Sequence, residues 1–329
     1  MMENSYAGTR VLVTGGAGFI GSNICEYLID CGAEVVCIDN LITGHVHNIK
    51  SLLQNDRFSF IEGDIRNQEL LEAAIKGCTH VCHQAALGSV PRSIEDPIAT
   101  NDHNVNGTLN VFWAAKKEGI KRVVYASSSS VYGDEETLPK VEEKTGVPLS
   151  PYAVTKCISE SYARVFTELY GMEMIGLRYF NVFGRRQDPD GAYAAVIPKF
   201  VKMLIRHQSP TIHGDGEQSR DFTYIDNVIQ ANINALFKAE INAAGKVFNI
   251  AYGERVTINQ MFELIRSSLM KFDSKIGNVD PKFVEERPGD IKHSLADISA
   301  ARQYLKYKPE HDLNSGMGIS IDWYWNNLG

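Results

Sequence analysis

The stretch RVLVTGGAGFIGS, residues 10–22, decides the fold of this chain. The apolar, β-branched run RVLVT predicts a buried strand, and apolar residues at helical spacing follow in SNICEYLIDC, residues 22–31. Between them, Gly15, Gly18 and Gly21 form a G-x-x-G-x-x-G pattern. Such glycines allow a tight turn and let backbone N–H groups approach a pyrophosphate at the helix N-terminus.

An acidic residue stands where a strand–glycine–helix unit of this kind needs one. The next predicted strand, EVVCID, ends at Asp39, 18 residues past Gly21. A carboxylate there suits the adenosine ribose hydroxyls of a dinucleotide and would repel a 2′-phosphate. The sequence therefore predicts a site for NAD rather than NADP. The alternative is a glycine-rich turn that binds no ligand.

Predicted strands and helices alternate through the first half of the chain. Further strands are expected at 58–64, 79–83, 121–127 and 173–181, and helices near 67–76, 98–118 and 151–170. This alternation predicts an α/β fold with a Rossmann-type, doubly wound parallel sheet. The rhythm breaks at GRRQDPDGAY. We expect residues 1–185 to form the NAD-binding domain and 186–329 a smaller α/β substrate lobe, from which some segments return to the first domain.

Composition limits the classes of function. The chain has 329 residues, 44% hydrophobic and 22% charged, with a formal net charge of −7, which argues against a general nucleic-acid binder. It contains neither an apolar run of about 18 residues nor an apolar N-terminal leader, so we expect no membrane span. The cysteine usage fits a reducing cytoplasm. CTHVCH, residues 78–83, falls across a predicted strand without a second ligand pair, so we expect strand packing there and no metal.

Tyr152 and Lys156 stand four residues apart, which places them on one face of a helix. We expect the lysine ammonium to lower the tyrosine pKa from its usual value of about 10, so that the phenol can exchange a proton near neutral pH. The spacing alone also occurs by chance on amphipathic helices. A serine-rich turn, SSSSVYG at 127–133, follows a strand, and its Ser128 lies 24 residues before Tyr152. A hydroxyl at that place can bind a sugar hydroxyl.

Two further strand ends complete the predicted cofactor site. Asp64 and Ile65 follow the third strand, where a carboxylate can hold an adenine amino group; a solvated loop acid is the alternative. Gln84, Ala85 and Ala86 follow the fourth strand, and small residues there let the backbone pass close beside a cofactor.

These motifs resemble those of the extended short-chain dehydrogenase/reductases, and among them the UDP-hexose 4-epimerases. The resemblance is carried, in the family's order, by TGGAGFIGS, DN, GDI, HQAA, SSSSVYG, SPYAVTK, LRYFNVFG and SRDFTYIDN. The segments 87–93, 177–200 and 287–299 are most similar to the subgroup that accepts N-acetylated UDP-hexosamines in bacterial surface-polysaccharide synthesis.

The resemblance implies a catalytic triad of Ser128, Tyr152 and Lys156, with Ser129 beside it and able to share the serine's role. In such a triad the tyrosine takes the proton of the sugar 4-hydroxyl and the C4 hydride passes to tightly bound NAD. The 4-keto sugar then turns, and hydride returns to its other face. The lysine keeps the tyrosine reactive and bonds the nicotinamide ribose, and NAD is not consumed.

The resemblance also assigns binding residues. Those expected to contact NAD are Gly15, Gly18, Phe19, Ile20, Gly21, Asp39, Asn40, Thr43, Gly44, Asp64, Ile65, Gln84, Ala85, Ala86, Tyr152, Lys156 and Tyr179. Those expected to contact a UDP-sugar are Ser89, Ser128, Asn181, Ala195, Val196, Thr211, His213, Arg220, Arg287, Asp290 and Ser294. Arg220 and Arg287 would hold the diphosphate, since planar guanidinium groups suit bidentate phosphate contacts. Surface salt bridges are the alternative for both.

One position bears on the substrate. Ser294 lies seven residues after Arg287. By resemblance, epimerases restricted to glucose and galactose typically have a tyrosine at this position. A serine leaves room for a 2-acetamido group beside the ring, because a bulky wall excludes and a small one permits. We therefore expect UDP-N-acetylglucosamine (UDP-GlcNAc) and UDP-N-acetylgalactosamine (UDP-GalNAc) to be accepted.

Several relatives of the same fold are alternatives. In sugar-nucleotide 4,6-dehydratases the residues at the positions of Ser128, Ser129 and Ser130 resemble Thr-Asp-Glu, and UDP-glucuronate decarboxylases resemble one another in having a glutamate near that place. This chain has no carboxylate there, which argues against both. UDP-glucuronate 4-epimerases share the serine-rich segment and stay open as an alternative, as do UDP-glucose 4-epimerases. A non-catalytic NAD-binding regulator is the alternative of another class, although such proteins usually lack the tyrosine or the lysine.

The family resemblance implies a homodimer. In this family the helices near 98–118 and 151–170 pair across a two-fold axis as a four-helix bundle. The apolar residues at helical spacing on them are Val105, Leu109, Phe112, Ile158, Tyr162 and Phe166. The alternative is that these side chains face the sheet.

Overall fold

The computed structural model describes residues 5–190, 194–286 and 292–329. Its strands are β1 Arg10–Thr14, β2 Glu34–Asp39, β3 Phe58–Glu62, β4 His80–His83, β5 Arg122–Ser128, β6 Glu173–Tyr179, β7 Val182–Phe183, β8 Thr211–His213, β9 Ser219–Arg220, β10 Thr223–Tyr224, β11 Val247–Ile250, β12 Val256–Thr257 and β13 Lys282–Val284. Within these ranges, seven strands form one parallel sheet in the order β3–β2–β1–β4–β5–β6–β11. The others pair in twos, as β7 with β10, β9 with β12 and β8 with β13.

Helices cover both faces of the sheet and form a further layer beside it. The α-helices are α1 Phe19–Asp30, α2 Gln68–Ile75, α3 Val90–Glu95, α4 Pro97–Asn101, α5 Gly107–Glu118, α6 Pro151–Tyr170, α7 Val196–Ile205, α8 Ile225–Phe237, α9 Ile258–Leu269, α10 Ser299–Leu305 and α11 Leu313–Leu328. Short 3-10 helices span Val46–Ile49, Ser129–Tyr132, Ile241–Ala243 and Ser274–Asn278.

The alternation of side chains along β1 builds two apolar cores. Val11 and Val13 face one core, which they share with Ile24 and Leu28 of α1. Leu12 faces the other, which contains apolar residues of α2, α5 and α6. Because both faces of a parallel strand are covered in this way, RVLVT is apolar throughout rather than alternating. The predicted fold class is confirmed. Successive strands are added outward from β1 to β3 on one side, and from β4 on the other side, so the strand order reverses between β1 and β4.

The predicted helix at 98–118 is interrupted. It consists of α4, a π-helical turn at Asp102–Asn106, and α5. In that turn the Asn104 side chain accepts from the Leu87 backbone N–H (2.8 Å) and donates to the Leu87 carbonyl (3.2 Å) and to the Thr155 hydroxyl (3.2 Å). These partners are far apart in sequence, and apolar spacing along one helix carries no information about them. Helix α1 begins at Phe19, three residues before the predicted start, because Gly18 already ends the glycine turn.

The region after residue 185 contributes both to the central sheet with its covering helices and to a separate helical layer. Strand β11 pairs with β6 at the edge of the sheet, and α8 packs against α1. Helices α7, α9 and α11 pack on one another as a separate layer. None of the described helices is both long enough and apolar enough to cross a membrane. The described residues include no cluster of three His, Cys, Asp or Glu side chains able to hold a metal ion, and all six cysteines are free thiols.

Candidate active site

A cleft of about 560 Å³ runs along the carboxyl ends of the sheet strands. Residues at or after the ends of β1, β2, β3 and β4 line one part of it. The ends of β5 and β6, the N-terminal part of α6 and described residues between 181 and 195 line the rest. The cleft therefore crosses the gap between β1 and β4, where the strand order reverses. Open α/β sheets bind their ligands at this place.

Most residues predicted to bind NAD line this cleft. They are Gly15, Gly18, Phe19, Ile20, Gly21, Asp39, Asn40, Thr43, Ile65, Gln84, Ala85, Ala86, Tyr152, Lys156 and Tyr179. The predicted residues Gly44 and Asp64 are not part of its wall. Of the residues predicted for the sugar nucleotide, those in the wall are Ser89, Ser128, Asn181 and Ala195. Those outside it are Val196, Thr211, His213, Arg220 and Ser294; the predictions for Arg287 and Asp290 fall outside the described residues.

The glycine turn after β1 brings the backbone close to two neighbours. Gly15 has φ +70°, and a Cβ on it would lie 2.6 Å from the Ala85 backbone nitrogen. A Cβ on Gly21 would overlap the Gly15 carbonyl, so helix α1 can pack on the turn only with glycine there. Helix α1 starts after Gly18, which provides no side-chain cap for the first amides. These amides and the helix dipole form a site for an anion at the cleft wall.

Asp39 is 8% exposed and serves the fold and the cleft together. Its carboxylate accepts from the backbone N–H of Ala17 (2.9 Å) and of Leu41 (2.8 Å), which holds the glycine turn against the end of β2. Burial raises the pKa of Asp39, and these amide bonds oppose the rise. Gly44 packs directly against the same carboxylate. A carboxylate has lone pairs beyond those two bonds, and they remain able to accept from ribose hydroxyls.

Asp64, the predicted adenine contact, is already engaged by its neighbours. The Arg66 guanidinium donates to both of its oxygens, at 3.0 and 2.8 Å, and Asn40 Nδ2 donates to it at 2.9 Å. This hydrogen bonding from Arg66 holds the pKa of the Asp64 carboxyl well below its usual range. Its use in binding adenine stays a prediction.

The N-terminal part of α6 holds Tyr152 and Lys156 at the cleft wall. Ser150 caps the helix by accepting from the Ala153 backbone N–H at 3.1 Å, so Tyr152 lies in the first turn and Lys156 one turn later. The Lys156 ammonium donates to the Ala126 carbonyl at 2.8 Å and lies 5.8 Å from the centroid of the Tyr152 ring. Ser128 is the last residue of β5, and it meets the tyrosine from the sheet side of the cleft.

The expectation that Lys156 lowers the pKa of Tyr152 is wrong for this structure. Burial raises the pKa of Tyr152, and the hydrogen bond with Ser128 opposes the rise. Burial also lowers the pKa of Lys156 to about 8, against the opposing charge of Glu160. The lysine gives its hydrogen bond to a backbone carbonyl, and the apolar surroundings of both groups outweigh their proximity.

A buried polar network lies beside Ser128 and Lys156. Ser127 Oγ donates to Glu160 at 2.5 Å, and Arg178 donates to both oxygens of Glu160 at 2.8 Å each. Arg178 also donates to the Tyr132 hydroxyl at 3.1 Å. Glu160 lies one helical turn beyond Lys156, so a second four-residue step on α6 was the available sequence signal for it.

Other residues in the cleft wall were not among the residues predicted to bind NAD or the sugar nucleotide. They are Ile38, Ile42, His45, Gly63, Leu87, Gly88, Arg92, His103, Ala126, Ser127, Val182, Gln187, Asp188 and Ala194. His45 and Asp188 approach within 3.2 Å across the cleft although 143 residues separate them. Only the folded chain brings such a pair together.

Three residues predicted for the sugar nucleotide gather around the segment from Ser219 to Asp221. Asn181 Nδ2 donates to the Asp221 carbonyl at 3.0 Å. The Ser294 backbone N–H donates to the Ser219 carbonyl at 3.0 Å, and Arg220 donates to that same carbonyl at 3.0 Å. Asn181 and Ser294 therefore both contact the segment that carries Arg220.

Comparison with known proteins identifies the family. A model of the NAD dependent epimerase/dehydratase family matches residues 11–251. The chain belongs to this family. A putative UDP-glucose 4-epimerase of Methanocaldococcus jannaschii is 39% identical over 96% of this chain and 99% of the relative.

Solved structures of the epimerase/dehydratase family share the whole architecture. A UDP-N-acetylglucosamine 4-epimerase from Methanobrevibacter ruminantium, in complex with UDP-N-acetylmuramic acid, is 41% identical with a TM-score of 0.88, covering 97% of this chain and 99% of that one. A UDP-glucuronic acid 4-epimerase from Bacillus cereus, in complex with UDP-glucuronic acid and NAD, is 34% identical with a TM-score of 0.86, covering 97% and 99%.

The cofactor of the epimerase/dehydratase family fits the cleft, and this protein is NAD-dependent. The uncapped start of α1 can hold the pyrophosphate, and Asp39 can hold the adenosine ribose. Lys156 and Tyr179 line the cleft near the ends of β5 and β6, away from Asp39 at the end of β2, so the nicotinamide half would lie beside them. When bound, NAD supplies the acceptor and donor of a hydride.

The lowered pKa of Lys156 has a consequence for activity in an epimerase of this family. A lysine with a pKa of about 8 loses its proton as the pH rises through that value. If the ammonium supports catalysis, kcat/KM should fall above pH about 8, and the fall should be absent from the residual activity of Lys156→Met. A pH profile of kcat/KM checks this. An increase through the same range would contradict it, because that is the sign expected if ionisation of Tyr152 alone set the profile.

Proposed function

We propose that this protein, a UDP-sugar 4-epimerase, interconverts UDP-GlcNAc and UDP-GalNAc. The observation that carries the substrate assignment is the serine at position 294, on a segment whose backbone pairs with Ser219 and whose Lys292 carbonyl accepts from the Arg220 guanidinium. A serine there leaves space beside a sugar whose diphosphate is held by Arg220. The 41% identity to a UDP-N-acetylglucosamine 4-epimerase supports the same assignment.

In the proposed reaction Tyr152 moves the proton of the sugar 4-hydroxyl. Its ring stands at the cleft wall beside Ser128, whose hydrogen bond favours the ionised phenol. Ser128 steadies the same oxygen as its charge changes, because a hydroxyl can both donate and accept. Lys156 contributes a positive charge behind the tyrosine, held in place by the Ala126 carbonyl. The hydride leaves C4 for NAD and returns to the opposite face of the 4-keto sugar, so NAD is recovered.

The substrate's diphosphate and sugar would be held from the later part of the chain. Arg220 supplies the cation for the diphosphate. Asn181, which lines the cleft and has φ +34°, is held by its bond to the Asp221 carbonyl and offers its amide to a phosphate or sugar oxygen. Asp221 is fully buried and itself accepts from the backbone N–H groups of Tyr252, Gly253 and Ala296. One buried carboxylate thus joins the segments on which these binding residues lie.

The direct test is incubation of the purified protein with UDP-GlcNAc and no added NAD. The proposal expects an equilibrium mixture with UDP-GalNAc, resolved by chromatography or NMR. UDP-glucose and UDP-glucuronate run in parallel, because the relatives of this chain include enzymes named for those sugars. Absence of turnover on every sugar nucleotide, even with NAD supplied, would overturn the epimerase proposal and favour an NAD-binding regulator. Turnover of UDP-glucuronate alone would show that the substrate is the uronic acid and that the assignment of an acetylated sugar is wrong.

Ser294→Tyr tests the substrate wall. The tyrosine ring should fill the space for the acetamido group and lower kcat/KM for UDP-GlcNAc by about 10- to 200-fold, the range over which pocket size discriminates. UDP-glucose turnover should be kept or increased. Ser299→Tyr, at an exposed serine five residues on, is the matched control and should change neither. Equal effects on both sugars would show that Ser294 does not form the wall.

We also propose a homodimer formed through α4, α5 and α6. Ile98 is 82% exposed and Leu169 is 69% exposed, which is unusual for large apolar side chains on packed helices. Two of the apolar residues expected at the surface are instead in the core, since Phe112 is 0% and Phe166 4% exposed. Phe112 and Phe166 pack in the core against the sheet, whereas Val105, Leu109, Ile158 and Tyr162 are half-buried.

The dimer proposal has a simple mutational test. Leu169→Glu should place a charge in the interface and convert the dimer to a monomer, measured by size-exclusion chromatography with light scattering. Ile319→Glu, at a residue 50% exposed on α11, is the control and should leave the dimer intact. A wild-type protein that is monomeric at micromolar concentration would refute this part of the proposal.

The location and the domain division are proposals as well. Six free thiols, five of them buried, fit a reducing cytoplasm. We place the division between the NAD-binding domain and the substrate lobe at residue 185, with α8 and β11 returning to the sheet.

A further inference from the structure

Beneath the floor of the cleft, three side chains form a closed ring of hydrogen bonds. The Tyr179 hydroxyl donates to Gln84 Oε1 at 3.0 Å, Gln84 Nε2 donates to Asn232 Oδ1 at 3.0 Å, and Asn232 Nδ2 donates to the Tyr179 hydroxyl at 2.9 Å. Each member both donates to one neighbour and accepts from the other. A ring of this kind fixes the position of all its members, because no single group can rotate without leaving two others unpaired.

The third member of the ring comes from outside the cleft. Asn232 is 0% exposed and lies on α8, whose backbone holds it through a second bond from Nδ2 to the Val228 carbonyl at 2.8 Å. Gln84 and Tyr179 both line the cleft, at the ends of β4 and β6. Strand β5, which ends at Ser128, lies between those two strands. The ring therefore spans the catalytic strand from below.

The ring also settles what Tyr179 can do. Burial raises the pKa of its phenol well above the usual range, although the bonds to Asn232 and Gln84 oppose the rise. Tyr179 therefore stays neutral, with its hydroxyl directed into the protein and its aromatic ring at the cleft surface. The aromatic ring can pack against a bound group, but the hydroxyl takes no part in proton transfer, unlike that of Tyr152.

We propose that Asn232 is a positioning residue for the nicotinamide end of NAD: it holds the Tyr179 ring and the Gln84 backbone turn at the separation that sets the distance between the hydride-accepting carbon and C4 of the sugar. The inference rests on the proposed function, because it takes the NAD site to extend to Tyr179. In the proposed arrangement Asn232 contacts neither cofactor nor substrate. Its effect should fall on the hydride step and leave sugar-nucleotide binding unchanged.

The test uses Asn232→Leu in the full-length enzyme with its NAD. Leucine has the same number and branching of side-chain heavy atoms as asparagine but can neither donate nor accept, so the Tyr179 hydroxyl and the Gln84 amide each lose a partner. We expect kcat and the single-turnover rate of NAD reduction to fall by about 10- to 100-fold, because small misplacements of reacting atoms have effects of that order. KM for the sugar nucleotide should change by less than about twofold.

The matched control is Asn234→Leu on the same helix. Asn234 is also buried, at 4% exposure, and its Nδ2 donates to the Lys306 carbonyl at 3.2 Å, away from the cleft. It should show a comparable loss of thermal stability with kcat unchanged. If Asn232→Leu does not fold, Asn232→Asp, which keeps the acceptor for Gln84 and loses the donor to Tyr179, gives the same readouts and should lower kcat to a smaller extent.

Three results would overturn the inference while the wild-type enzyme is active. They are an unchanged kcat in the Asn232 variant, an equal loss of kcat in both leucine variants, and a loss confined to KM. A wild-type protein that epimerises no sugar nucleotide would instead show that the proposed function is wrong, so the two failures are distinguishable.

Discussion

Replacing Tyr152 by phenylalanine should lower kcat by about 10²- to 10⁴-fold, the contribution that general acid–base catalysis makes in enzymes. The change removes one oxygen, the atom that in the proposed reaction exchanges a proton with the sugar 4-hydroxyl. The ring stays in the first turn of α6, which Ser150 caps independently of the tyrosine. We therefore expect NAD content and melting temperature to stay close to those of the wild type.

Steady-state turnover of UDP-GlcNAc, together with bound NAD released on denaturation, checks this expectation. Tyr170→Phe is the matched control, because Tyr170 ends the same helix, is 44% exposed and packs by its ring against Phe166. It should retain full activity. A Tyr152 variant with more than a tenth of wild-type kcat would mean that another group moves the proton, and Ser128 would then be the next residue to replace.

Replacing Glu160 by glutamine should destabilise the protein by about 3–5 kcal/mol, the usual cost of removing one partner of a buried ion pair. The side chain of Arg178 is 4% exposed and that of Glu160 15%. With glutamine at position 160, the guanidinium keeps its bonds to the Tyr132 hydroxyl and the Glu142 carbonyl, but it loses the carboxylate that accepts two of its hydrogen bonds, and the nearby Glu142 carboxylate is left to offset its buried charge. Ser127 keeps an oxygen to which it can donate.

Urea denaturation followed by circular dichroism measures this change in the free energy of unfolding. Glu168→Gln is the control on the same helix: its pair with Arg164 spans 3.8 Å between side chains that are 66% and 70% exposed. Exposed pairs of this spacing contribute about 0.3–0.5 kcal/mol, so that variant should be nearly neutral. Similar effects of the two substitutions would show that burial does not strengthen the Glu160–Arg178 pair.

The parts of the site that sequence predicted are those that local geometry specifies. The glycine turn, Asp39 at the end of β2 and the Tyr152–Lys156 step on α6 each lie within one strand–turn–helix unit or one helical turn. In such units the spacing of residues alone determines which side chains share a face. The cleft accordingly contains Gly15, Gly21 and most of the other residues predicted for NAD.

The electrostatic state of the Tyr152–Lys156 pair could not be predicted in this way. The four-residue spacing indicated that Lys156 lowers the pKa of Tyr152, but the structure gives the opposite direction for Tyr152. The pKa of a side chain depends on how much water its surroundings exclude, and that follows from the packing of β5 and β6 against α6. Proximity along a helix is only one contribution to it.

The sequence by itself determined the doubly wound sheet and the residues at the strand ends, because apolar periodicity and glycine spacing act within short stretches of chain. The family followed from the resemblance of its motifs to those of known enzymes. Tertiary structure alone decided the partners across the cleft and below it. Asn232 reaches Gln84 over 148 residues and Arg178 reaches Tyr132 over 46. Such contacts form only when separate strands and helices are packed together, and burial then gives each polar group in them a larger effect than its place in the sequence could indicate.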